Sequence, residues 1–129
     1  VRMQADPRGE WSWSDAWVLA ASPGDPAGCS LSDLIRTADG INHAIVTRDE
    51  LADGLGALLA AGLVEVRGDR IRTTPAGQAI KNYWRRGLFG WRKSLLPRLR
   101  KIPRPAARFE ISPADYEAAV AAYRRRASR

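Results

Sequence analysis

The chain has 129 residues, 45% hydrophobic and 27% charged, with 21 Lys and Arg against 14 Asp and Glu for a formal net charge of +7. That length suits one domain with a buried core, roughly two-thirds of the unfolded surface leaving water, and no segment approaches the roughly 20 apolar residues of a membrane span. A lone cysteine, Cys29, excludes an internal disulfide and points to a cytoplasmic protein, while the basic balance points to polyanionic or anionic-surface partners.

The charge is unevenly spread. Residues 1–69 hold 5 Arg and Lys against 11 Asp and Glu, and residues 70–129 hold 16 against 3, so the two parts are −6 and +13.

The opening VRMQADPRGE lacks periodicity and reads as a flexible tail over 1–10. In WSWSDAWVLAAS, Ser14 is placed to cap a helix, Asp15 suits its positive end, and Trp13, Trp17, Val18 and Ala21 take staple and helical spacings. The breakers of SPGDPAG close that helix. Ser30, with Asp33 three residues on, opens a second helix whose stripe is Leu31, Leu34, Ile35 and Ala38 and whose end is expected at Gly40.

Thr47 and Glu50 form a T-x-x-E capping box for a third helix. Leu51, Leu55, Leu58 and Leu59 give it one apolar face, and Gly62 supplies a left-handed end. Val64 and Val66 then alternate with Glu65 and Arg67, Gly68-Asp69 makes a turn, and Ile71 returns between Arg70 and Arg72, which predicts a two-stranded hairpin. Thr74 and Pro75 start a fourth helix with Ala76, Ala79, Ile80 and Tyr83 inward, running out near Gly87.

From Lys81 to Arg108 there are ten Lys and Arg and no acid, interleaved with Tyr83, Trp84, Phe89 and Trp91 and broken by Pro97, Pro103 and Pro105. Residues 88–111 read as a basic arm. Ser112, Pro113 and Asp115 then start a C-terminal amphipathic helix over 112–129, with Tyr116, Ala119, Val120 and Tyr123 on one stripe.

Helix, helix, helix, hairpin, helix is the order of a winged helix-turn-helix. ELADGLGALLAAGLV, a short hairpin and TTPAGQ are similar to the L-x-x-L-x-x-x-G-L-V … T-P-x-G signature of MarR-like and PadR-like transcriptional regulators, over about residues 14–86. The resemblance implies a mainly α (α+β) fold, a winged helix-turn-helix over 11–87 with a two-stranded β-hairpin wing and a C-terminal helical extension, and DNA binding. The sequence departs from that pattern where the recognition helix would meet the groove. There the expected exposed set is Arg48, Asp49, Asp53, Gly56 and Ala57, and the hairpin is short.

Acids near phosphates oppose binding, which rests on cations displacing counterions. Asp49, Glu50 and Asp53 are therefore read as caps and dipole partners in the first helical turn. The expected nucleic-acid-binding residues are Arg48, the wing residues Arg67, Arg70 and Arg72, and Lys81, Arg85, Arg86, Arg92 and Lys93. Three other uses of the arm stay open: stacking of single-stranded bases, an anionic membrane surface taking Phe89, Trp91, Leu95 and Leu96, or wrapping of the chain's own acidic half. A protein-interaction module with an acidic face is the alternative to DNA, its partner a basic or acidic protein. Tyr116, Val120 and Tyr123 offer a homodimer seam.

His43 and Cys29 are too few for a zinc site, so no metal or cofactor is expected. With neither G-x-S-x-G nor a G-x-x-x-x-G-K-[ST] loop in the sequence, no enzyme is expected.

Overall fold

The computed structural model describes residues 9–86 and 90–127, the side chains of Arg85 and Arg86 excepted, so most of the expected tail lies outside the described residues. They form a mainly helical α+β unit with one two-stranded antiparallel sheet: α1 (Trp13–Ala21), α2 (Leu31–Asn42), α3 (Arg48–Ala60), β1 (Val64–Arg67), β2 (Arg70–Thr73), α4 (Pro75–Arg86), α5 (Trp91–Leu99) and α6 (Pro113–Ala127). None of the described helices is long and apolar enough to cross a membrane.

Local chemistry accounts for most boundaries. Ser12, not Ser14, caps α1: its hydroxyl accepts from the Asp15 amide and the Asp15 carboxylate accepts from the Ser12 amide at 2.9 Å. Asp15 stands three residues after Ser12, the spacing a capping box requires, while the Ser14 hydroxyl bonds that of Ser12. Helix α2 starts at Ser30 as expected but runs through Gly40, and the left-handed residue that ends it is His43, at φ 56°. Thr47 and Glu50 close the box of α3, and Gly62 takes φ 76° beyond its end.

The hairpin pairs Val64 with Thr73 and Val66 with Ile71. Helix α4 departs from its expected inner face. Ala76 and Ala79 are exposed and Tyr83 is 49% exposed, whereas Gly77 and Lys81 are buried. Gly77 sets this rotation, because a Cβ there would stand 2.0 Å from the Leu63 carbonyl oxygen, so only glycine lets the helix approach the hairpin.

Of the expected arm 88–111, residues 90–111 are described and are more structured than an arm. Trp91, Leu95 and Leu99 recur every four residues and form the buried face of α5, with Pro97 inside the helix at the loss of one backbone hydrogen bond. They join Trp17, Leu34, Leu51, Leu55 and Leu58 in one core that also takes Ile111 and Val120. Helix α5 packs on α1 and α4, and α6 packs on α2. Between them, residues 103–112 run without helix or strand as a strap across the molecule.

Candidate nucleic-acid interface

The acidic face of α3 meets the strap. Asp49 and Asp53, four residues apart, share one face of the helix. Arg108 lies between them, Nη2 donating to Asp49 at 2.8 Å and Nη1 to Asp53 at 2.6 Å. The Arg108 hydrogen bond holds the Asp49 carboxyl below its usual range, and the two carboxylates hold the Arg108 guanidinium above its own.

Backbone contact accompanies the charge. The Phe109 amide donates to the Ala52 carbonyl at 2.9 Å, and a Cβ on Gly56 would lie 2.3 Å from the Ala107 carbonyl oxygen and 2.5 Å from Arg108 Cα. Gly56 and Ala57, expected on the exposed face of α3, are buried, Gly56 directly under the strap. Arg48 donates to the Ile111 carbonyl at 2.8 Å.

Near each end of the strap one side chain is buried, Arg104 and Ile111. Arg104 donates to Asp15 at 2.8 and 3.1 Å with side-chain exposures of 6% and 2%, and also reaches the Asp53 carbonyl at 3.3 Å. Ile111 is buried at the other end.

The wing cations are partly engaged. Glu65 lies 3.1 Å from Arg67 and 3.2 Å from Arg72, both ion pairs without hydrogen-bond alignment. Arg67 remains 84% exposed. Arg70 braces the loop before α2 by donating to the Ala27 and Gly28 carbonyls, both at 3.2 Å. That loop also bridges Cys29 to Ile71, and burial, with Asp33 adding to it, raises the Cys29 thiol to about 11.

On α4, Lys81 is buried and donates to the Ser22 carbonyl. The side chains of Arg85 and Arg86 lie outside those described, as does Phe89. Exposed Arg92 stands over the rings of Trp13 at 4.5 Å and Trp91 at 5.2 Å, where Trp13, Trp17 and Trp91 cluster. Arg98 stands over Tyr83 at 3.8 Å. Lys93 and Lys101 are exposed. Trp91 and Leu95, considered above for insertion into a membrane surface, are core residues.

The three seam residues of α6 meet the same chain. Tyr116 donates to the Val46 carbonyl at 2.7 Å, Tyr123 donates to Asp39, and Val120 is buried against the core. Arg126 adds a 2.9 Å pair with Asp33. There the bonds from Arg126 and Ser30 outweigh burial and hold the carboxyl below its usual range.

Of the uses left open for the arm, wrapping of the chain's own acidic half is the one the strap's ion pairs match, though the individual partners were not read from the sequence. One local signal was present: Gly56 sits inside a helix, where glycine is costly unless another backbone must come close. Among the described residues no group of three or more His, Cys, Asp or Glu is placed to hold a metal ion. No family model, curated protein or solved structure matches the chain.

Proposed function

We propose that this chain is a DNA-binding winged-helix protein, a transcriptional regulator, that holds phosphates with the wing and the α4–α5 surface while α3 is kept out of the groove by its own strap. The element order of α1 to α4 supports the winged-helix reading. One observation carries the binding reading: acids of α1, α2 and α3 are taken up by arginines of the strap and α6, while the sequence of α4 and α5 contains no acid.

Asp15, Asp33, Asp49 and Asp53 are each paired with an arginine from the strap or α6. The stretch Lys81–Lys101, in contrast, contains no Asp or Glu, and Arg92, Lys93, Arg100 and Lys101 on it are exposed, Arg100 at 4.0 Å from Glu10, while Lys81 is buried. The ring partners of Arg92 and Arg98 orient those guanidinium groups without cancelling their charge. A surface of this kind gains affinity by releasing counterions from the phosphate backbone. Phosphate contacts position a protein on DNA without reading sequence. Base selection would then come from the wing, where Arg67 is the most exposed cation with a described ion pair.

The test is duplex binding by charge-reversed variants. R92E/R67E should weaken binding to a random duplex more than tenfold and flatten the salt dependence, while R36E/R124E, the same change in net charge on α2 and α6, should change it less than threefold. Equal losses in the two sets would show attraction to net charge alone and overturn the assigned surface. Deleting everything after Arg86 is no substitute, because Trp91, Leu95, Leu99 and Ile111 are part of the core.

A further inference from the structure

Arg108 is the strap's cation nearest to the expected groove-facing helix, and its side chain is 37% exposed. It is held by carboxylates alone: Asp49 on one nitrogen and Asp53 on the other. Two anionic groups, side by side on one face and gripping one guanidinium, offer the chemistry that two neighbouring phosphates would offer. Asp49 is itself 75% exposed, so phosphates can reach the site from solvent. The surrounding backbone does not depend on this pair, since the Arg104–Asp15 bond, the Phe109–Ala52 bond and buried Ile111 fix the strap on either side.

From this geometry we infer that Asp49 and Asp53 act as a phosphate decoy, holding Arg108 in reserve and lowering the protein's affinity for DNA until phosphates displace them. The inference rests on the DNA-binding reading above. What switches is one side chain. The carboxylates release the guanidinium, which turns to the phosphate backbone, and the strap stays seated on α3. Solvent-accessible ion pairs of this kind are weak, so phosphates at high local concentration can compete. The acids that make α3 unsuitable for the groove thereby acquire a role.

A double-mutant cycle on binding to a random duplex over a salt titration tests this. D49N/D53N should tighten binding several-fold, because Arg108 then reaches a phosphate without first leaving its carboxylates, while the slope of log affinity against log salt still includes the Arg108 contact. Adding R108A to that variant should remove most of the gain and lower the slope by about 0.9, the increment for one phosphate contact. R108A in the wild-type chain should cost less than in D49N/D53N, because there the phosphate contact of Arg108 is offset by the carboxylate pairs it must break.

Two results overturn the decoy while leaving DNA binding intact. One is tightening by D49N/D53N that survives R108A, meaning the acids merely repel. The other is a larger R108A loss in the wild-type chain, meaning Arg108 merely screens them. Absence of binding by every variant at low salt overturns the DNA-binding reading as well.

Discussion

Gly56 occupies a helix interior, where glycine costs about 1 kcal/mol relative to alanine. Gly40 does too, yet a Cβ at Gly40 would meet nothing within 4 Å, while one at Gly56 would strike the strap backbone at 2.3 Å. Gly40→Ala should therefore stabilise the protein by up to about 1 kcal/mol. Gly56→Ala should destabilise it, the clash outweighing the gain in helix propensity. Thermal unfolding of the two variants distinguishes them, and a rise in Tm for Gly56→Ala would mean the strap does not lie on α3. Cys29 offers a second residue-level check. With its thiol raised to about 11, its alkylation rate should still be climbing about tenfold per pH unit at pH 9 to 10, where an ordinary thiol levels off.

Among elements, the strap and α6 depend on contacts made far from their own sequence. Arg104 and Asp15 form a buried pair with side-chain exposures of 6% and 2%. Removing one member leaves the other charge buried, so Arg104→Ala should cost about 3–5 kcal/mol in urea unfolding. A cost below about 1 kcal/mol would contradict the pairing. Tyr116 and Tyr123 both have raised phenol pKa values, the first through burial with Glu50 nearby, the second through its hydrogen bond to Asp39. In the unfolded chain these phenols ionise at about 10. The stabilisation they contribute is therefore complete below that pH and is lost as pH rises through the higher folded values. Between pH 9 and 11 the wild-type chain should lose more Tm than Y116F/Y123F, and an equal loss would detach α6 docking from these phenols.

The same scale shows what was legible in the sequence. Capping pairs such as Thr47 with Glu50 and Ser30 with Asp33 are local, and they fixed the starts of α2 and α3. The i, i+4 spacing of Trp91, Leu95 and Leu99 was also present, but Pro97 and the surrounding cations hid it behind the look of a basic arm. The pairing of Arg108 with Asp53 spans 55 residues and that of Arg104 with Asp15 spans 89, and no local pattern encodes such a choice. Only the opposite charges of the two halves hinted at it.

For the whole molecule, folding converts a split charge into an organised one. The N-terminal part carries −6 and the rest +13, and the strap and α6 bring Arg104, Arg108 and Arg126 back onto Asp15, Asp49, Asp53 and Asp33. The stretch of α4 and α5 contains no acid, and its Arg92, Lys93 and Lys101 stay exposed. The most direct measurement is fluorescence anisotropy of the intact protein with a random-sequence duplex, titrated from about 50 to 200 mM salt, a range over which several phosphate contacts cost orders of magnitude in affinity. The account predicts binding at the lowest salt and a steep linear fall of log affinity with log salt. No binding at about 50 mM, or binding indifferent to salt, would contradict it.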